Sequence, residues 1–165
     1  MLILNLGTVT TATGPSSLAN AILNPSTFYT NRGDWCSTSN DAFWGGADKT
    51  LSVSAVKTMF DPSPAGWRVP TWKGLASPWT AFTTSTFSWN ATDHGRTYTD
   101  GSFYPAAGYR NSSSGALQSV ASLVGYWSGS PSGSNGYNLV FDSSNVYPAG
   151  NNYRAYGFSV RCVQE

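Results

Sequence analysis

The sequence is short of charge. Asp, Glu, Lys and Arg make up 10% of its 165 residues and leave a formal net charge of +1, where soluble globular chains usually carry about 25%. The basic residues form no cluster, and without a basic stripe a chain cannot track phosphates, so nucleic acid is excluded as a partner. No apolar run approaches the ~20 residues of a membrane-spanning helix, so direct membrane insertion is not expected. The opening MLILNLGTVTTATGP lacks a basic n-region and a long apolar core, and is not read as a signal peptide. Cysteine is limited to Cys36 and Cys162, which either form one disulfide closing most of the chain or are both free and buried. The lone histidine, His94, sits in Asp93-His94-Gly95-Arg96 and reads as a turn residue. Carboxylates are few and scattered (Asp34, Asp41, Asp48, Asp61, Asp93, Asp100, Asp142, Glu165), with no spacing that marks an acid/base pair. Catalysis is therefore not expected, and neither is a cofactor or metal. Calcium is the one ion weighed, and beyond loop carbonyls and Asp nothing in the sequence points to it.

Aromatics are what the chain has in quantity. They reach 15%, with seven Trp and nine Tyr, the reverse of a disordered composition. The length suits one domain with a full core. Low charge with abundant Ser, Thr, Asn, Gly and Tyr suits a secreted or cell-surface protein.

Local signals give a coarse α+β reading: two short helices, small antiparallel sheets and long loops. Residues 1–14 read as an extended arm. Ser16 or Ser17 caps a helix through Leu18, Ala19, Ala21, Ile22 and Leu23, and Asn24-Pro25 ends it. Residues 28–44 are loop-like, with aromatics that must dock on a core. The turn chemistry of residues 61–66 leads into a short strand at Trp67-Arg68-Val69. Pro70-Thr71 opens a second short helix carrying Trp72, Leu75 and Trp79. Strands follow at 80–89, 96–109, 116–127, 137–141 and 157–163, and Trp67, Trp127 and Phe158 read as core. The tripeptides Asn90-Ala91-Thr92 and Asn111-Ser112-Ser113 fit the glycosylation sequon and are read as chance in a Ser/Thr-rich chain.

Several segments together resemble a known family. Asp61-Pro-Ser-Pro-Ala-Gly-Trp-Arg-Val-Pro70 is similar to the DPCPxGWRVP motif of the bacterial major-paralogous (FISUMP) domains, which have a C-type-lectin-like fold. Phe103-Tyr-Pro-Ala-Ala-Gly-Tyr-Arg110, Gly125-Tyr-Trp-Ser128 and Gly157-Phe-Ser-Val-Arg-Cys-Val163 match in the same order. Asn24 to Tyr29 and Asp34-Trp35 extend the match upstream, so it covers residues 16–163. The family's cysteine in the proline turn is Ser63 here, so no family disulfide through that turn carries over, and the role of Cys162 stays open.

The tail resembles a narrower group with that fold, the variable proteins of diversity-generating retroelements. In that system adenines, mostly in AAC codons, are randomised near the 3′ end of the gene. The resulting codons never encode Lys, Glu, Gln, Met or Trp. From Val120 to Val160 this chain contains none of these except Trp127, which belongs to the Gly-Tyr-Trp-Ser motif. Gly136, Asn138, Val140 and Asp142 recur every second residue, the spacing of one strand face. Tyr147, Gly150, Asn151, Asn152, Tyr153 and Tyr156 follow in a loop running into the last strand. Val124 and Gly133 are further candidates. Tyr gives rigid contact area while Ser, Gly and Asn give adaptable hydrogen bonds, the mixture of antibody paratopes. Such a surface needs a rigid floor, for which Trp127, Phe141, Phe158 and Val160 are the candidates.

The resemblance thus implies one C-type-lectin-like domain over residues 1–165, with a variable binding region over 120–163. It implies an adhesin-like or receptor-binding protein at a cell surface or on a phage particle. Its ligand is an unknown protein or glycan on a cell surface. Two alternatives stand beside it. One is a structural stalk or tip module of a surface fibre, in which the tyrosines of 147–156 merely pack on neighbouring loops. The other is an enzyme of the formylglycine-generating type, whose chemistry needs paired reactive cysteines that Cys36 and Cys162 do not resemble.

Overall fold

Long strands form where large apolar and small residues alternate, and the C-terminal third is where this chain does so. The computed structural model describes residues 9–46, 56–72 and 77–165. The described residues form mostly small antiparallel sheets with one short α-helix. In chain order they are β1 (Thr10–Thr13), α1 (Leu18–Leu23), β2 (Thr27–Thr30), β3 (Trp67–Arg68), β4 (Phe87–Asn90), β5 (Gly95–Tyr98), β6 (Phe103–Pro105), β7 (Tyr109–Arg110), β8 (Leu117–Gln118), β9 (Leu123–Ser132), β10 (Asn135–Asp142), β11 (Val146–Tyr153) and β12 (Val163–Gln164).

The largest sheet is the antiparallel ladder β11-β10-β9. Beyond β9, Ser159 donates to Gly125 O and accepts from Trp127 N, at 3.0 and 2.9 Å, which lays residues 157–160 along the sheet. The second sheet, β4-β5-β6, packs Phe87 and Tyr104 against Val124, Tyr126, Leu139 and Phe141 to form the core, with Trp79 and Phe82 filling its side. Its rings meet edge to face, Phe87 on Phe141 at 5.0 Å and Tyr104 on Tyr126 at 5.5 Å, the geometry that aromatic quadrupoles favour. The buried Arg96 joins the two sheets, donating to Phe87 O and to Asp142 O. β12 closes on β3 through Val163↔Arg68.

The helix forms as its caps direct. Ser17 Oγ accepts from Asn20 N at 3.2 Å, and the helix ends at Asn24, ahead of Pro25. In the arm, residues 10–13 run parallel to β2, while 1–8 lie outside the described residues. The Asp61 carboxylate organises the proline turn, accepting from Ser63 N at 2.7 Å and Val69 N at 2.9 Å.

Several expectations are corrected. Of the second helix expected from Pro70-Thr71 through Trp79, residues 73–76, with Leu75, lie outside the described residues, and residues 78–81, with Trp79, form a turn. The strand expected at 80–89 begins only at Phe87, because Thr83 and Thr86 tie the preceding residues into a turn. The expected 96–109 strand is three short ones, and that over 116–127 is broken by a turn with Ser119 and Ala121 at positive φ. Trp67 is 44% exposed rather than core, since β3 is a two-residue edge pairing only with β12. Cys36 and Cys162 are both free thiols, Cys36 buried and Cys162 half-buried. Among the described residues no helix is long and apolar enough to cross a membrane.

Candidate functional site

Directly opposed residues of an antiparallel ladder project to the same side of the sheet. Leu139 and Phe141 of β10, opposed by Tyr126 and Val124, face the core. The alternate residues Gly136, Asn138 and Val140 therefore face outward, opposed on β11 by Asn152, Gly150 and Tyr147. These six stand together only because the register shifts between Asn138 and Val140. The bulge sets Pro148 and Ala149 opposite Leu139; without it Tyr147 would oppose Phe141 and point at the core. Residues 147–153, expected as a loop, are thus a strand. Pro148 is tolerated because β11 is the sheet edge and the bulge lies there.

The outer face has a floor and an exposed layer. Trp127, opposed to Asn138, is 7% exposed and lies over Gly136, where an added Cβ would fall 3.0 Å from Trp127 Cζ3. Asn138 is fully buried; its Nδ2 donates to Gly136 O and its Oδ1 accepts from Asn152 Nδ2, both at 3.3 Å. At Gly150 a Cβ would come 2.6 Å from Asn138 Oδ1. Gly136, Asn138 and Gly150 are accordingly floor, with little or nothing to offer a ligand. Val140 and Asn152 are half-buried and Tyr147 is 53% exposed.

An aromatic row borders this floor. Phe158 packs on Trp127 at 4.7 Å, Tyr156 stacks on Phe158 at 5.3 Å, and Tyr153 lies parallel to Tyr156 at 6.4 Å. Trp127 Nε1 donates to Tyr156 O at 3.2 Å, fixing the row to the sheet. Tyr153 is 40% exposed, while Tyr156 is half-buried against Tyr109 and Phe158. Asn151 and Tyr153 belong to the alternate set of β11, opposed by Tyr137 and Asn135, and Asn151 accepts from Asn135 Nδ2.

Three candidates are placed elsewhere. Val124 is 0% exposed in the core, because it lies opposite Phe141 on the inward face of β9. Gly133 is the tip of the β9–β10 hairpin, at φ +60°, a conformation that favours glycine. Asp142 caps the β10–β11 turn, accepting from Ser144 N and Asn145 N at 2.6 and 2.7 Å. Burial works against its charge, but these bonds and nearby Arg96 outweigh it and hold its pKa below the usual carboxylate value.

Arg154 is the residue that sequence reasoning missed. Its Nε donates to Asn135 O at 3.1 Å. Nη1 donates to Ser39 Oγ at 2.9 Å and Asp34 Oδ2 at 3.4 Å, and Nη2 to Gly133 O at 2.8 Å and to Asp41 Oδ1. One side chain thus clamps loop 34–41 to the hairpin beside the outer face. The available signal was that Arg154 and Asp142 are the only charged residues from 120 to 160. Among the described residues no group of three or more His, Cys, Asp or Glu is placed to hold a metal ion.

No known family, curated protein or solved structure matches the chain.

Proposed function

We propose that this chain is a ligand-binding protein that displays a variable face on a C-type-lectin-like scaffold, diversified by a retroelement. It binds a protein or glycan on a cell surface, displayed by a bacterial cell or a phage particle, and has no catalytic step. One observation carries the reading. Gly136, Asn138, Val140, Tyr147, Gly150 and Asn152, marked by the period and composition of the tail, are direct cross-strand partners on one outward face. Its floor is buried and hydrogen-bonded and none of these residues is charged, which is the composition of an interface centre rather than its rim. Tyr147 and Tyr153 are the exposed anchors, since binding energy concentrates in such aromatics. The test is the DNA sequence of the gene and its flanks. A near-copy of the 3′ end, differing almost only where the copy has adenine, is expected. An intact locus without one would remove diversification from the reading.

A further inference from the structure

Beside the outer face lies an open cleft of about 540 Å³, its mouth included, between loop 35–46 and the β9–β10 hairpin. Trp35, Phe43, Trp44 and Trp127 wall it, and Gly136 and Arg154 complete it. The Arg154 guanidinium, the Ser128 hydroxyl and the Asn40 carbonyl oxygen in its lining are engaged within the protein. Arg154 has five N–H groups, matched by its five contacts to Asn135 O, Ser39 Oγ, Asp34, Asp41 and Gly133 O. Asn40 Oδ1 accepts from Ala42 N at 2.8 Å. Ser128 Oγ donates to Tyr137 O at 2.8 Å and accepts from Ser130 N at 3.2 Å, and Ser130 Oγ accepts from Trp72 N.

That arrangement selects among ligands. An anion would find the guanidinium without a free donor and Asp41 beside it. A polyhydroxylated ring would lose water from its hydroxyls and find the Arg154 donors and the Ser128 hydroxyl already taken, a cost in a walled site. An organic cation would be drawn by the aromatic faces and Asp41 but meets the Arg154 guanidinium in the same wall, so it serves as a control probe. A flat uncharged ring loses nothing polar and gains four aromatic walls. Because Trp127 and Gly136 also belong to the outer face, a molecule seated on that face can reach the cleft with one side chain.

We propose that this cleft is a fixed anchor pocket for one uncharged aromatic side chain of a protein partner. The partner's neighbouring surface is read by the outer face. The proposal rests on the outer-face reading for its partner, and the pocket itself is tested separately. Three of its walls are tryptophans, which randomised AAC codons cannot produce, so these three walls stay constant while the face varies.

The experiment titrates the whole chain, with its tryptophan indoles ¹⁵N-labelled, with p-cresol, the side-chain analogue of tyrosine. Methyl glucoside, acetate and tetramethylammonium serve as parallel probes. Expected are saturable shifts with a millimolar dissociation constant at the Trp35, Trp44 and Trp127 indoles, with Trp67, Trp79 and Trp89 unmoved and the other probes silent. Leu117→Ala, exposed and outside both the cleft and the outer face, should leave the titration unchanged, whereas Trp35→Ala should weaken it at least tenfold. Silent indoles with p-cresol, equal response to all four probes, or a response to the glucoside, acetate or ammonium ion alone would each overturn the proposal on the wild-type chain, whether or not Trp35→Ala folds. A missing template copy would sink diversification and leave these shifts untouched, so the two failures are distinguishable.

Discussion

Truncating Trp127 to alanine tests whether the outer face rests on a rigid floor. The side chain is 7% exposed, packs on Phe158 at 4.7 Å, and donates its indole N–H to Tyr156 O. Its ring also fills the space above Gly136. Removing a buried Trp side chain costs ~3–5 kcal/mol as lost transfer energy plus cavity. At ~2–4 °C of melting temperature per kcal/mol for a domain of this size, the expected fall is roughly 6–20 °C. Tyr147→Ala supplies the contrast. That ring is 53% exposed on the same face, and substitutions of exposed residues usually stay within ~0.5 kcal/mol, or about 2 °C. Near-UV circular dichroism read against temperature measures both. A Trp127→Ala protein melting within ~2 °C of wild type would refute the floor, and a large fall for Tyr147→Ala would make that residue structural.

Arg154→Met removes the clamp and its ion pairs to Asp34 and Asp41; breaking such a pair costs ~3–5 kcal/mol when buried, so at 14% side-chain exposure the lower end is expected. Urea midpoints measure it, and amide exchange should quicken across residues 34–42 while the core strands keep their order of protection. Gly125→Ala sets a Cβ 2.6 Å from the Phe158 ring and should cost ~1–3 kcal/mol as overpacking, part of it recovered in a double variant with Phe158→Leu; an unchanged urea midpoint would show that Phe158 moves freely. Asp142 has a lowered folded pKa, so its charge stabilises the fold above the ordinary carboxylate value of ~3.9 and the contribution is lost as pH falls through the lowered folded value. Asp142→Asn should therefore be slightly less stable at neutral pH and show a flatter acid limb in urea midpoints taken from neutral pH downward; an unaltered slope would count against the assignment.

How far the fold could be read depended on the range of the forces involved. The start and stop of α1 were legible because Ser17 and Asn24-Pro25 act on their own neighbours. The 61–66 turn was legible because Asp61 caps it locally, and the outward set of β10 because a single strand's alternation reveals it. Residues 147–153 read as a loop in sequence because Pro148, Gly150, Asn151 and Asn152 are poor strand formers. They are a strand through their pairing with β10, which no local signal records. Val124 was assigned to the site since the parity of β9 becomes visible only once Phe141 is known to oppose it. Trp67 looked like core by residue type, and its exposure follows from the place of β3 at an edge. Arg154 lies more than a hundred residues from Asp34 and Asp41, a separation that composition cannot bridge.

The split between floor and exposed layer also constrains what the proposed diversification could reach. At Gly136 any larger side chain must displace Trp127, and at Gly150 it meets Asn138 Oδ1 at 2.6 Å. Asn138 itself is fully buried with both ends of its amide engaged. Substitution at these three positions would lower stability. Val140, Tyr147, Asn151, Asn152 and Tyr153 project from the strands with solvent on at least one side, and exchange there leaves the floor in place. If a template copy exists, differences retained in functional copies of the gene should therefore concentrate at these five codons. Changes at 136, 138 and 150 should be rarer and limited to small residues. Equal spread over all eight codons would mean that the floor tolerates large side chains, and Trp127 could not then be the fixed element that holds the face.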